Sequence, residues 1–164
     1  MTHHPDREES LLFQPRFDEN GLIPCITTSA KTGKVLMFAY MNAMALRKSL
    51  QTGEVHYWSR SRNALWHKGA TSGLTQKIME IRVDCDQDCL WIQVETGGTA
   101  LTDGAEASCH TGRETCFYRA LTGADAPDST EIILRFVDAR LVFDPQEAYG
   151  ASAKAPCASD TPDP

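Results

Sequence analysis

Six residues between two apolar runs constrain the fold of this chain more than any other segment. The runs IMEIRV and LWIQV have the composition of buried β-strands, whereas the segment that joins them, DCDQDC at 84–89, holds three aspartates and two cysteines. If the chain stays extended here, Asp84, Asp86 and Asp88 point to one face and Cys85 points to the other. Carboxylates are ligands for Mg²⁺ and thiolates for Zn²⁺, so the segment predicts ligands for two metal sites.

A solvated acidic bend and an EF-hand loop are the other interpretations of this segment. Three neighbouring carboxylates repel one another and form a strand poorly without a cation, so a buried cluster without a metal is disfavoured, and the solvated bend is the alternative to a metal site. The EF-hand spacing is present, since Asp84, Asp86, Asp88 and Glu95 occupy its first, third, fifth and twelfth positions. The sixth position needs glycine but holds Cys89, and the flanks are strand-like rather than helical, which argues against an EF-hand.

The six cysteines are interpreted through the compartment that the sequence predicts. The start of the chain, MTHHPDREESLLFQPRF, has neither the pattern of a secretory signal nor an apolar run long enough to span a bilayer. We therefore expect a cytoplasmic protein, in which clustered cysteines indicate metal ligands or reactive thiols rather than disulfides. Cys25 lies in an apolar strand and Cys157 in a polar tail, which predicts a core residue and an incidental surface thiol.

A cysteine pair lies in CHTGRETC, where Cys109 and Cys116 stand seven residues apart around a glycine. Cys85 or Cys89 could complete a zinc site with this pair. Four cysteines would form a closed structural site, whereas three cysteines and a water would form an open catalytic site. The spacing alone leaves both arrangements open.

Two neighbours of this cysteine pair favour a site that handles a substrate. His110 directly follows one cysteine, and Arg113 lies between the two. A histidine beside a metal ligand is either a proton-transfer group or a packed, hydrogen-bonded residue, and both interpretations of His110 remain open.

A basic and aromatic stretch, HYWSRSRNALWHKGATSG at 56–73, predicts an anion-binding site. The formal net charge of −6 argues against binding of nucleic acid or an anionic membrane, so an anionic ligand needs a local basic cluster. Cations, hydroxyls and glycine amides can cradle phosphate, and aromatic rings can stack on a base. The alternative is a basic surface strand with core aromatics. The candidates are Arg60, Arg62, Lys68, Thr71 and Ser72.

The remaining segments predict many short strands and one principal helix. GLIPCITTSA and VLMFAYM form strands joined at KTGK, and a helix follows between the N-cap Asn42 and Gly53. EVHYWSRSR is predicted as a strand, NALWHKGATSG as a loop, the segment 95–108 as a mobile excursion, and EIILRFVDARLVFD as the strand or strand pair that closes the core. For QKIMEIRVDCD and CLWIQVE, one long strand and a bulged pair both remain open.

The composition also predicts the extent of the domain. A chain of 164 residues that is 41% hydrophobic can form one domain without disulfide bonds. We expect this domain at 13–144, between an N-terminal tail at 1–12 and a C-terminal tail at 145–164, since both ends are too polar to bury much apolar surface.

Three runs, MNAMALRKSLQTGEVHYWSRSRNALWHKGATSG, VDCDQDCLWIQV and CHTGRETCFYR, together resemble the phosphoribosyl-AMP cyclohydrolase family over roughly residues 13–120. The resemblance implies an α+β fold of mainly antiparallel strands and an intertwined homodimer. It implies hydrolysis of the N1–C6 bond in the adenine ring of 1-(5-phosphoribosyl)-AMP, a step of L-histidine biosynthesis that depends on Zn²⁺ and Mg²⁺. The chain ends too early for the fused pyrophosphohydrolase domain of some members, so we expect a monofunctional protein.

The resemblance also implies roles for individual residues. Asp84, Asp86 and Asp88 would bind magnesium, while zinc would be bound by Cys109 and Cys116 and, across the dimer interface, by Cys85. Three thiolates leave a fourth zinc position for the water that attacks C6. His110 would transfer a proton. The two phosphates would be held by Arg60, Arg62, Lys68, Thr71, Ser72 and Arg113. The chain departs from the family in its longer excursion at 95–108 and in the extra thiol of Cys89, which we expect to pack.

Two other classes of function are considered. A structural zinc-binding interaction module would use all four cysteines, Cys85, Cys89, Cys109 and Cys116, and would have no open coordination position. A nucleotide deaminase would release ammonia, but the sequence lacks its His-x-Glu and Pro-Cys-x-x-Cys pattern.

Overall fold

Short strands make up most of the regular structure in residues 8–122 and 133–150, the parts of the chain that the computed structural model describes. In chain order, the strands are β1 (Ile23–Ser29), β2 (Val35–Met41), β3 (His56–Ser59), β4 (Ala64–His67), β5 (Gln76–Val83), β6 (Leu90–Thr96), β7 (Arg119–Thr122) and β8 (Ile133–Phe136). The helices are α1 (Ala43–Thr52) and α2 (Pro145–Tyr149), and a 3₁₀ turn spans Ala100–Thr102. The predicted α+β class and the single domain with one principal helix are confirmed. No helix within the described ranges is long and apolar enough to cross a membrane.

The central sheet has the strand order β2-β1-β6-β5. The β1–β2 and β5–β6 pairs are antiparallel, whereas β1 and β6 run parallel, with Cys25 opposite Leu90. Alternate residues of β6, beginning with Leu90 and Ile92, are buried, as expected for a strand with one face on the core. Cys25 is fully buried, which confirms its prediction as a core residue.

Helix α1 begins and ends where the sequence predicts. The Asn42 side chain accepts a hydrogen bond from the backbone N–H of Ala45 at 2.8 Å, and Gly53 adopts a left-handed conformation at the C-terminal cap. A cap of the Asn42 type stabilises a helix by about 1 kcal/mol. Ala45, Leu46 and Ser49 are the buried residues of the helix, which places α1 over β3.

The predicted loop after β3 is partly wrong, because Ala64–His67 forms strand β4. β3 and β4 pair antiparallel from His56 opposite His67 to Ser59 opposite Ala64. Tyr57 of β3 is fully buried and lies 5.5 Å from the ring of Trp66 in β4. The sequence conceals this strand because it is only four residues long and follows polar turn residues.

The segment DCDQDC forms a turn between paired strands, so the bulged pair is correct and the single long strand is wrong. Val83 pairs with Leu90, and the register shifts between Ile78 and Glu80. Gln87 adopts a left-handed conformation (φ 62°), in which the extended alternation of faces cannot hold. Alternation along an extended strand is therefore not what separates the Cys85 thiol from the three carboxylates, and that part of the sequence prediction is wrong.

A second apolar cluster connects the 95–108 segment with the C-terminal part of the chain. Leu74, Ala107 and Phe143 are buried together, and Ala148 and Tyr149 pack against them. Helix α2 therefore lies within the segment predicted as a C-terminal tail, whose residues 151–164 fall outside the described ranges. The predicted start of the tail at residue 145 is too early in the chain. The apolar residues of this segment are few, and residues distant in the sequence bury them.

Strand β8 does not close the core, contrary to the sequence prediction. It pairs antiparallel with β7, and all four of its residues are exposed. In its partner β7, Arg119 and Leu121 are also exposed, so the described side chains of the β7–β8 pair lie largely outside the main core.

Candidate functional site

The turn between β5 and β6 brings three carboxylates together. One ligand atom each from Asp84, Asp86 and Asp88 lies within 4.8 Å of the others. Asp84 Oδ1 closes the turn by accepting the backbone N–H groups of Asp88 at 2.9 Å and of Cys89 at 3.0 Å. Partial desolvation, together with the negative charges of Asp86 and Asp84, raises the pKa of Asp88. Such a group of hard oxygen donors could hold a divalent cation.

Residues 12–16 hold this turn in place through hydrogen bonds and an ion pair, and the sequence analysis did not predict these contacts. The Arg16 guanidinium contacts Asp86 Oδ2 at 2.8 Å, and the Arg16 backbone N–H donates to the Gln87 carbonyl at 2.7 Å. The buried Gln87 side chain accepts from the Gln14 backbone at 2.6 Å and donates to the Leu12 carbonyl at 3.2 Å. Because these partners are about 70 residues apart in the chain, no local pattern could have identified them.

The loop that carries Cys109 and Cys116 is tied to the edge of the central sheet. The Cys116 backbone N–H donates to the Leu36 carbonyl at 2.8 Å, and the Thr115 hydroxyl donates to the Val35 carbonyl at 2.7 Å. Cys109 is buried, and its backbone N–H donates to the Arg113 carbonyl at 3.0 Å. This short closed loop brings the two thiols into contact.

The thiol pair holds a negative charge on Cys109. Hydrogen bonds from Cys116, His110 and Thr111 outweigh burial and lower the pKa of Cys109 to about 4. The hydrogen bond to Cys109, reinforced by burial and by the Cys109 charge, raises the pKa of Cys116. The hydrogen bond with Cys109 also raises the pKa of His110. The loop therefore favours a negative charge on the cysteine pair beside a protonatable imidazole.

A cavity of about 350 Å³ opens beside the thiols. Lys68 lies in its wall with 4% of the residue exposed, and its ammonium group donates to the Leu74 carbonyl at 3.3 Å. Burial lowers the pKa of Lys68, and its electrostatic interactions with Cys116 and Cys109 partly oppose this effect. The lining residues are Met37, Arg62, Trp66, Lys68, Gly69, Ala70, Thr71, Ser72, Ser108, His110, Cys116 and Tyr149.

Four of the six predicted phosphate-binding residues line this cavity: Arg62, Lys68, Thr71 and Ser72. The other two lie elsewhere. The Arg60 guanidinium stacks 4.1 Å from the Tyr40 ring, and the Arg113 guanidinium stacks 4.2 Å from the Tyr118 ring. The predicted catalytic His110 is in the lining, together with Cys116.

Gly69 gives the phosphate-binding candidates their position. It has a φ of +88°, and a Cβ atom there would lie 2.3 Å from the backbone of Leu74. Only glycine fits this close turn, which orients Lys68 and the residues that follow toward the cavity.

Cys85 does not join the other two cysteines within one chain. In the sheet, Leu36 of β2 lies beside the Thr27–Thr28 part of β1, whereas Leu90 of β6 lies beside Cys25 of β1. This offset along the strands, together with the two strand spacings between β2 and β6, separates the Leu36 and Leu90 backbones by roughly 12 Å. Cys85 lies further away still, on the turn that precedes Leu90. Zinc-bound sulfurs must each lie about 2.3 Å from the ion, so one chain cannot supply all three thiols. In the described ranges, the aspartate turn alone unites three side chains with metal-binding atoms.

The sequence analysis did not predict three of the residues that line the cavity, Ser108, Met37 and Tyr149. Only the position of Ser108 directly before Cys109 could have indicated its role. Tyr149 reaches the cavity from α2, because the backbone N–H of Val142 donates to the Gly112 carbonyl at 2.6 Å and docks the C-terminal segment on the cysteine loop.

An α+β fold whose cavity combines a buried ammonium group, hydroxyls, an imidazole and a thiol is typical of an enzyme that acts on a small molecule. Residues 37–118 match the phosphoribosyl-AMP cyclohydrolase family. A phosphoribosyl-AMP cyclohydrolase of Nitrobacter winogradskyi is 51% identical over 148 residues, which cover 90% of this chain and 94% of that protein. One from Bradyrhizobium diazoefficiens is 52% identical over 148 residues, with 90% and 97% covered. The chain therefore belongs to the phosphoribosyl-AMP cyclohydrolase family and is a hydrolase of histidine biosynthesis.

Proposed function

We propose that this protein hydrolyses the N1–C6 bond in the adenine ring of 1-(5-phosphoribosyl)-AMP. The observation that carries the proposal is the cavity, which is lined by Lys68, Thr71 and Ser72 and also by His110 and Cys116. The lysine and the hydroxyls suit an anionic nucleotide, and the histidine and the thiol suit a hydrolytic reaction. The family membership supports the same substrate.

The phosphate end of the substrate would lie at the Lys68–Ser72 turn. The Lys68 ammonium and the hydroxyls of Thr71 and Ser72 can each donate hydrogen bonds, which suits a phosphate with several acceptor oxygens. Arg62 lies at the same cavity, with its guanidinium 5.8 Å from the Trp66 ring. This local cluster allows a chain of net charge −6 to bind a polyanion.

His110 would move the proton at the reacting end. Substitution at N1 makes C6 of the purine an activated amidine carbon that water can attack. The oxygen of water bonds to C6, the C6–N1 bond breaks, and a proton passes to N1, so the ring opens and C6 becomes a carboxamide. His110, beside the Cys109 thiolate, lies where it can accept the water proton or deliver one to N1.

The thiol pair fits half of a zinc site. Cys109 and Cys116 offer soft sulfur donors, and Cys85 of a second copy would complete the set in a homodimer, because the register keeps Cys85 of the same chain apart from this pair. A zinc ion held there would act as a Lewis acid that makes water nucleophilic at neutral pH. The Asp84, Asp86 and Asp88 group fits magnesium, which would neutralise substrate charge.

The first experiment compares turnover and bound zinc in three proteins: wild type, Cys109→Ala and Cys89→Ala. We expect Cys109→Ala to lose zinc and at least about 100-fold of the activity, since it removes a ligand and an anion of the site. Cys89→Ala removes a thiol of the aspartate turn outside the proposed ligand set and should keep both. Equal zinc loss in the two variants would favour the four-cysteine structural site instead. A folded, metal-loaded wild type without turnover would contradict the proposed reaction.

A mixing experiment tests the shared site. Cys85→Ala and Cys109→Ala proteins should each be inactive. After subunit exchange, a mixed dimer contains one site with all three thiols, so equal mixing should restore about a quarter of wild-type activity in the statistical limit. A mixture that stays inactive although the chains exchange would contradict a zinc site shared between subunits.

A further inference from the structure

A chain of buried hydrogen bonds runs from the core to the cavity. The Thr27 hydroxyl lies 2.7 Å from the Tyr57 hydroxyl, which donates to Gln76 Oε1 at 2.9 Å. Gln76 Nε2 donates to Ser108 Oγ at 3.0 Å. The first three residues are fully buried and Ser108 is 5% exposed, so water does not compete for these bonds. Ser108 is the member of the chain that lines the cavity.

The partners of Gln76 determine the direction of this chain. The Tyr57 hydroxyl has one proton and gives it to Gln76 Oε1, so Thr27 donates to Tyr57. The amide nitrogen of Gln76 is then turned toward Ser108 and toward Met37, whose sulfur lies at 3.6 Å. A thioether accepts but never donates a hydrogen bond, so it favours the amide nitrogen at this position over the amide oxygen.

This direction assigns the Ser108 proton to the cavity. Ser108 Oγ accepts from Gln76, and a hydroxyl that accepts from one side keeps its own proton for another partner. Among the described residues, Gln76 is the only hydrogen-bond partner of the Ser108 side chain. The hydroxyl of a cavity-lining residue is therefore held as a donor that no residue of the described ranges uses.

We propose that Ser108 is a substrate-binding residue whose hydroxyl donates to an acceptor nitrogen of the purine ring, and that Gln76 is the positioning residue that directs it. The proposal rests on the proposed function, since that function supplies a purine nucleotide. Ser108 precedes Cys109 and His110, so it belongs to the reacting end of the cavity rather than to the phosphate end at Lys68.

Calorimetric binding of AMP and the turnover of 1-(5-phosphoribosyl)-AMP test this role in the full-length, metal-loaded protein. Ser108→Ala should weaken AMP binding and lower kcat/KM by about three- to tenfold, the effect of one lost hydrogen bond. Ser108→Thr keeps the hydroxyl and should stay within about twofold of wild type in both measurements. Unchanged AMP affinity in folded Ser108→Ala, or no AMP binding by the wild type, would overturn the proposal.

A matched pair of core variants tests the positioning by Gln76. Tyr57→Phe removes the donor to Gln76 Oε1, so the amide can turn and draw the Ser108 proton away from the cavity. Thr27→Val removes a hydrogen bond of the same chain but leaves the Tyr57–Gln76–Ser108 part intact. We expect both variants to melt at lower temperature, and only Tyr57→Phe to weaken AMP binding by about threefold or more. Equal AMP affinities in the two folded variants would contradict the positioning role.

The AMP measurement separates this proposal from the proposed reaction. AMP contains the purine ring and a phosphate but is not opened, so its affinity reports on Ser108 whether or not the enzyme turns over 1-(5-phosphoribosyl)-AMP. A loss of AMP affinity in Ser108→Ala would support the donor role even in a protein that failed the turnover assay.

Discussion

Lys68 shows at the scale of a single residue how binding requirements oppose stability. Its ammonium group lies in the cavity wall with 4% of the residue exposed, and one carbonyl oxygen, that of Leu74, accepts its hydrogen bond at 3.3 Å. Burying a charge with so little compensation is unfavourable, and the lowered pKa of Lys68 expresses that cost. The proposed contact with phosphate needs this charge, which would explain why a lysine that lowers stability occupies the position.

Lys68→Met should therefore stabilise the metal-free protein by about 1 kcal/mol at neutral pH and abolish tight substrate binding. The folded pKa of Lys68 lies below the unfolded value of 10.5, so the wild type gains stability as pH rises through the interval between them. The variant lacks this gain, and its advantage in urea unfolding should shrink from pH 7 to pH 10. A variant less stable than wild type at pH 7 would contradict this account.

Gly69 is constrained by its backbone and by its surroundings. Gly69→Ala should lower the free energy of unfolding by at least about 2 kcal/mol, because it combines a positive φ with a close approach to the Leu74 backbone. Gly33→Ala is the matched control: its φ is +71°, but no atom lies within 4 Å of the added Cβ. The control should lose about 1 kcal/mol. Equal losses in urea denaturation would mean that the contact with Leu74 relaxes easily.

At the scale of elements, the turn between β5 and β6 depends on Asp84 for its conformation as well as for its charge. Asp84→Asn keeps the Oδ1 acceptor for the backbone N–H groups of Asp88 and Cys89, so the melting temperature should change by less than about 3 °C. Its Mg²⁺ affinity, measured by calorimetry, should fall about tenfold. Asp84→Ala should lower both the melting temperature and the Mg²⁺ affinity. Unchanged Mg²⁺ affinity in Asp84→Asn would contradict a magnesium site at the turn.

Helix α2 is short, but its Tyr149 forms part of the cavity wall. Tyr149→Ala should raise KM by about three- to tenfold with little change in kcat, since the ring contributes contact area rather than chemistry. Leu141→Ala, at a side chain in the same segment that is 52% exposed, is the control and should leave KM unchanged. A fall in kcat alone would assign Tyr149 a role in the chemical step.

At the scale of the whole molecule, the two ends of the central sheet carry the two groups of residues that we propose as metal ligands. The aspartate turn and Cys85 lie at one end, and Cys109 and Cys116 lie near the other. If zinc joins two copies, removing it should weaken the dimer. Sedimentation at micromolar concentration should show a larger monomer fraction in chelator, and added zinc should reverse the change. A dimer population that does not respond to chelator would contradict a zinc ion that joins the two copies.

Sequence alone determined the features that depend on near neighbours. The β1–β2 hairpin, the caps of α1 at Asn42 and Gly53, the three carboxylates of the aspartate turn and the core position of Cys25 all follow from turn chemistry, capping and apolar patterning within a few residues. The resemblance to a family rested on the same contiguous motifs. These features were predictable because local propensity and tertiary structure agree there.

Tertiary structure alone decided which distant residues meet. Strand β4, the parallel β1–β6 pair, the support of Gln87 by the N-terminal segment and the contact of α2 with the cavity join parts of the chain that share no local pattern. The tertiary structure also gives the predicted basic residues different surroundings. Lys68 and Arg62 line the cavity, whereas Arg60 and Arg113 stack on aromatic rings. Such contacts arise from burial and hydrogen bonding over long sequence separations, which depend on how the strands pack and not on which residues adjoin them in the chain.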